Sequence, residues 1–111
     1  MRCDSVILVE NLDVCRYFYR NTLGLGEPVI DSNYAVAFPL ADGAMLILEK
    51  VSVNFMEHAS GAIRLVFHVD DLDAFAGRLA GEGVVVEKAF SCFYENALRI
   101  SDPEGNVILL V

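Results

Sequence analysis

Val69-Asp70-Asp71-Leu72-Asp73 repeats, sixty positions later, the pattern of Val9-Glu10-Asn11-Leu12-Asp13. Each stretch follows an apolar run (Val6–Val9, Leu65–Val69) and opens an amphipathic one, and the same offset pairs Ile7 with Phe67 and Asp4 with Arg64. A spacing this long is a whole supersecondary unit and not a short solenoid repeat. Asn11 and Asp71 are good N-cap residues, whose side-chain oxygens can accept hydrogen bonds from first-turn amides. Beyond Asp71, the residues Leu72, Phe75, Ala76 and Leu79 fall at i, i+3, i+4 and i+7, which predicts one apolar helical stripe. The first helix is expected over about Leu12–Leu23, with Leu12, Cys15, Tyr19 and Leu23 on its face. Glycines stand where C-caps want them, at Gly24 and at Gly81 or Gly83.

Strands are expected after each helix. In the first unit they run over about Glu27–Asp31, Tyr34–Leu40 and Ala44–Val51, the last two joined by Ala41-Asp42-Gly43. The second unit offers Val84–Phe90, Glu95–Ile100 and Asn106–Val111, the last two joined by Asp102-Pro103-Glu104-Gly105. Asp, Pro and Gly supply the dihedrals that tight turns need, so that acidic tetrapeptide reads as a turn and not as a catalytic carboxylate pair. The order is therefore βαβββ twice in one α+β domain. Module one covers about residues 1–51, a polar linker about 52–62, and module two about 63–111. A lone unit of about 50 residues cannot bury both faces of its sheet, so two are expected to pack together.

Composition narrows the function. With 55% apolar residues, four Tyr and seven Phe, the chain is globular and not disordered. No apolar run approaches the roughly 20 residues needed to cross a bilayer, and Met1–Glu10 carries Arg2 and Asp4 where a signal peptide would be apolar. A net charge of −8 with eight scattered Lys and Arg excludes a nucleic-acid surface. The acidity favours a cationic ligand or simply keeps molecules apart in solution. Cys3, Cys15 and Cys92 form no CxxC pair, which fits ordinary small side chains in a reducing cytoplasm.

Three segments carry a family likeness. They are Val9-x-Asn11-Leu12 with Phe18-Tyr19-Arg20 and Leu23-Gly24-Leu25, then Phe67-x-Val69-x-Asp71-Leu72, then Asp102-Pro103-Glu104-Gly105-Asn106. In this order the chain resembles the vicinal oxygen chelate superfamily, which includes glyoxalase I, extradiol dioxygenases and the bleomycin- and fosfomycin-resistance proteins. The resemblance covers essentially the whole chain. It implies a cupped eight-stranded mixed sheet with helices on the convex face and a ligand cavity on the concave one.

Metal-using members of that superfamily place ligands on the first and last strands of each unit. The first-strand position lies seven residues before the N-cap, which gives Asp4 and Arg64; the last-strand positions give Ile47 and Leu109. Of these only Asp4 could ligate a cation, and arginine would repel one. A slip of one residue brings in no ligand pair, and His58 and His68 stand elsewhere. No metal and no other cofactor is expected.

Strand alternation leaves Asp4, Glu49, Arg64 and His68 on the cavity side among Val6, Leu8, Met45, Ile47, Val66, Val107, Leu109 and Val111. Arg99 joins them if the last hairpin pairs Ser101 with Asn106 or Val107. An aliphatic wall with a few polar groups is the character of a small-molecule site. Each group also has a plainer reading: Arg64 with Asp4 as an ion pair joining the units, His68 as a half-exposed surface residue, Glu49 as a solvated rim charge. Phe90, Phe93 and Tyr94, around Cys92, read as a ligand-covering flap or as core or dimer contact, and Tyr94 joins the candidate binding residues. No nucleophile–base pair or phosphate loop stands out, so no catalytic residue is assigned.

The reading that follows is a metal-independent small-molecule-binding protein of the bleomycin-resistance type, sequestering a drug or metabolite as a cytoplasmic homodimer. Two others stay open. One is a metal-free isomerase or lyase with His68 or Glu49 as general base; the other is a non-catalytic sensor module.

Overall fold

A computed structural model describes residues 1–51, 64–91 and 93–111. The expected linker, with His58, and Cys92 lie outside the described residues. The chain divides into two compact units, Met1–Ala59 and Ser60–Val111. Each contains one four-stranded mixed sheet and one principal helix, so the class is α+β.

In the first unit β1 (Ser5–Val9) leads into α1 (Leu12–Tyr17), followed by β2 (Ile30–Asp31), β3 (Ala35–Pro39) and β4 (Met45–Lys50). The sheet order is β1-β4-β3-β2, with β1 parallel to β4 and the other pairs antiparallel. The second unit repeats this with β5 (Leu65–Phe67), α2 (Leu72–Gly81), β6 (Glu87–Lys88), β7 (Leu98–Ser101) and β8 (Val107–Leu110), in the order β5-β8-β7-β6. The first strand is thus hydrogen-bonded to the last in both units, as a parallel pair that only a crossover through the helix can join.

Both helix starts are built as their sequences require. Asn11 Oδ1 accepts the Val14 amide at 3.1 Å and Asp71 Oδ1 accepts the Ala74 amide at 3.0 Å. The ends differ. After α2, Gly83 at φ +85° closes a Schellman turn in which the Val84 amide donates to Leu79 O at 3.0 Å. After α1 the chain does not stay α-helical to Leu23, as its apolar spacing predicts, but passes into a π-helical turn over Phe18–Thr22. Gly24, at φ +94°, lies thirteen residues after the Asn11 cap, whereas Gly83 lies twelve after Asp71. The wide turn takes up that one extra residue. The expected helical face is nonetheless buried: Leu12, Cys15, Tyr19 and Leu23 join Val9, Val36, Phe38, Leu46 and Leu48 in the core of the first unit.

Three strands are shorter than their sequences suggest. The segments Glu27–Asp31 and Val84–Phe90 contribute only the two-residue edge strands β2 and β6, and β7 begins at Leu98 and not at Glu95. An edge strand is ordered by one neighbour alone, so its length is set by the pairing and not by local propensity. On α2, Leu79 is fully buried while Leu72, Phe75 and Ala76 are half-buried, and Phe75 carries the Arg78 guanidinium over its ring at 4.9 Å.

Candidate functional site

The ladders decide which side chains share a face. In the first unit Val6 stands opposite Ile47, and Leu8 opposite Glu49. These residues lie on the face away from the buried row of Leu46, Leu48, Val36 and Phe38. Val6 and Leu8 are 52% and 40% exposed, so this outer face keeps an apolar strip open within its unit. Asp4 lies at its end. One carboxylate oxygen accepts the Met45 amide at 2.9 Å, and the other takes the Arg2 guanidinium at 2.9 Å. The Met45 amide is the main cause of an acidity greater than usual at Asp4; burial opposes it, and the Arg2 guanidinium adds to it. Asp4 thus has partners for both oxygens within its own unit.

In the second unit the row Val66, Leu109, Arg99, Glu87 crosses all four strands. The hairpin pairs Ser101 with Val107, the register that puts Arg99 on the same face as Leu109. That register is held by a turn in which Asp102, Pro103 and Gly105 occupy the positions that suit them. The Gly105 amide donates to Asp102 O at 3.0 Å, and Gly105 sits at φ +84°. The buried Asp102 carboxylate accepts the Glu104 amide at 2.9 Å and both the Asn106 amide and Nδ2 at 2.8 Å. The tetrapeptide is a turn, as its composition implies.

Alternation puts Arg64 and His68 on the outer face with Val66. His68 meets the edge of the half-buried Tyr94 ring, with centroids 5.7 Å apart, and Tyr94 in turn meets Phe93 at 5.0 Å. The hydroxyl of Ser91 accepts both the Phe93 and Tyr94 amides, so a local turn presents the aromatic pair. Phe90 and Phe93 are 94% and 84% exposed, which excludes them from the core of this chain. The structure therefore gathers Arg64, His68, Arg99 and Tyr94 in one unit and leaves Asp4 and Glu49 on the outer face of the other.

A feature that the sequence reading missed lies beside the aromatic pair. A cleft of about 720 Å³ is lined by Asp70, Asp71, Asp73, Lys88, Glu95 and Asn96. A second hollow of about 500 Å³ runs from His68 along Asp70 and Ala74 to Arg78. The signal in the sequence is the acidic run Asp70-Asp71-x-Asp73, of which only Asp71 has a local reading, as a helix N-cap. Asp71 does cap α2, and Asp73 does sit in its first turn.

No protein-family model and no curated protein matches the chain. Solved structures do. An antibiotic-binding protein from Streptomyces sp. CB03234 superposes with a TM-score of 0.75 at 25% identity, covering 99% of this chain and 94% of that one. A glyoxalase/bleomycin resistance protein from the same organism gives 0.62 at 27% identity, covering 97% and 98%. A lactoylglutathione lyase from Agrobacterium tumefaciens gives 0.75 at 24% identity, covering 99% and 90%. With its two βαβββ units, the chain has the glyoxalase/bleomycin-resistance fold of the vicinal oxygen chelate superfamily.

The metal that many members of this superfamily hold does not fit the residues present. The four expected positions carry Asp4, Ile47, Arg64 and Leu109. Ile47 and Leu109 offer no donor atom, and Arg64 carries a permanent positive charge.

Proposed function

We propose that this protein binds a small organic molecule without a metal and sequesters it, in the manner of the bleomycin-resistance proteins. The observation that carries the reading is the composition of the outer sheet faces. Two of the four places where a metal would be ligated are aliphatic, Ile47 and Leu109, and the other two are Asp4 and Arg64; Glu49 in the first unit and His68, Arg99 and Tyr94 in the second add a small number of further polar groups. Such surfaces bind by apolar contact and are oriented by a few polar groups. The antibiotic-binding protein from Streptomyces supports the reading by its fold and its 25% identity. On this reading the protein works as a homodimer in the cytoplasm, which gel filtration and fractionation would check.

The test is a thermal-shift screen of antibiotics and aromatic metabolites. A ligand present at a hundred times its Kd stabilises the folded state by about 2.7 kcal/mol, enough to read as a clear rise in Tm. Stabilisation by one compound class, unchanged by a chelator, is the expected outcome. A flat response across every class, or stabilisation that a chelator abolishes, would refute it.

A further inference from the structure

The arginines of this acidic chain fall into two groups. Arg2 holds Asp4, Arg16 holds Asp13 and Asp31, Arg20 holds Glu27, and Arg78 holds Glu82. Arg64 and Arg99, the remaining two, make no hydrogen bond or ion pair among the described residues, in a chain with sixteen acidic side chains. Both stand on the outer face of the second sheet. Arg99 lies opposite Leu109 across the β7–β8 ladder, and Arg64 precedes Val66, the residue beside Leu109 on β5, by two positions. Two strand spacings and two residues of rise separate their backbones by roughly 12 Å. The floor between them is Val66, Val107 and Leu109, and His68 closes one end beside Tyr94.

The sign of this face is opposite to that of the molecule. At physiological ionic strength charges beyond about 8 Å are largely screened, so the net charge of −8 matters less to a bound group than its immediate neighbours. The acid that the ladder places beside Arg99 is Glu87, opposite it in the β6–β7 pair, and no hydrogen bond or ion pair joins the two. Guanidinium groups offer a planar fork of donors that matches a carboxylate or sulfonate. The acidic cleft at the start of α2 makes no comparable case for a cation, because Asp71 and Asp73 already serve the helix.

We propose that the outer face of the second sheet binds an organic anion, an apolar body carrying a carboxylate, sulfonate or enolate, with Arg64 and Arg99 as the groups that recognise its charge. The inference rests on the small-molecule reading and adds the sign of the ligand.

A pair of fluorescent probes with one skeleton tests it: anilinonaphthalene sulfonate and its uncharged parent N-phenylnaphthylamine. The wild-type protein should bind the sulfonate at least about tenfold more tightly than the neutral probe. Arg64→Gln and Arg99→Gln should each cut sulfonate affinity by about fivefold to tenfold, and the double variant should bring the two probes level. Neutral-probe binding should hold throughout, which also reports that the variants fold. Lys88→Gln removes the same charge from the opposite face of the β6–β7 pair, where Lys88 stands across from Leu98, and should change neither affinity. Equal binding of the two probes by the wild type, or a ratio unmoved in the double variant, would overturn the anion site while leaving the small-molecule reading in place. Binding of neither probe would overturn the anion site, and a flat thermal-shift response across every compound class would overturn the small-molecule reading with it.

Discussion

Replacing Asp102 by alanine should unfold more than a turn. Its carboxylate is 5% exposed and accepts three hydrogen bonds, from the Glu104 amide, the Asn106 amide and Asn106 Nδ2. Hydrogen bonds to a charged group contribute about 1.5–3 kcal/mol each, which sets a ceiling of several kcal/mol for the set. Glu104 is exposed and Asn106 half-buried, so water can reach some of the abandoned donors. The expected net loss is about 2–4 kcal/mol, or a fall in Tm of roughly 10–20 °C. Asp102→Asn keeps one acceptor oxygen but turns an amide donor toward Asn106, and should cost about half as much. The turn also fixes the Ser101–Val107 pairing that puts Arg99 on the outer face. Asp102→Ala should therefore weaken binding of the anionic probe more than binding of its neutral parent. Urea denaturation followed by circular dichroism gives the stability, and hydrogen exchange at Ile100 and Ile108 reports the ladder. A loss below about 1 kcal/mol, with both amides as protected as in the wild type, would show that the carboxylate does not hold the hairpin.

The helix starts should respond as a matched pair: Asn11→Ala and Asp71→Ala each remove one cap bond and should cost about 1 kcal/mol in urea denaturation. The lowered pKa of Asp4 makes its ionised form favour folding. Its contribution is complete above the unfolded value of 3.8 and is lost as pH falls through the lower folded value. Acid titration of stability should thus be flatter in Asp4→Asn than in the wild type below about pH 4, and parallel curves would contradict the assignment. Leu79→Ala, at the one fully buried position of α2, should cost about 2–5 kcal/mol by thermal denaturation. In a Cys92→Ser background a thiol reagent should modify the exposed Cys3 in the native protein and reach the buried Cys15 only on unfolding.

The parts of the fold that a reader of the sequence can find are those with a local cause. Asn11 and Asp71 announce helix starts because a cap needs only its own first turn, and Asp102-Pro103-Glu104-Gly105 announces a hairpin because each residue suits its dihedral. The strand pairing puts Val66 and Leu109 in one row, as alternation predicts, and the hairpin adopts Ser101–Val107, one of the two registers on which the placement of Arg99 depends. What stayed hidden depends on distant partners. The shortness of β2 and β6 reflects pairing along one edge only. That Arg64 and Arg99 have no partner among the described residues emerges only when the other four arginines are seen to have found carboxylates, some of them many residues away, as Arg16 finds Asp31. The acidic cleft stayed hidden because its lining comes from separate segments, residues 70–73 at the start of α2 and residues 88–98 around β6 and β7.

The π-helical turn at Phe18–Thr22 separates two things that are usually locked together in a repeat, chain length and strand register. The first unit carries one more residue between helix cap and closing glycine than the second, yet Ser5 meets Leu46 in the same parallel pairing in which Leu65 meets Ile108. The turn thus acts as an expansion joint. Insertions and deletions between the exposed Asn21 and Gly24 can be absorbed there by changing the width of a single turn, without shifting the rows of side chains on the sheet. The first unit is consequently free to vary its helix without disturbing its face, and that face is free to change its charge without disturbing its helix.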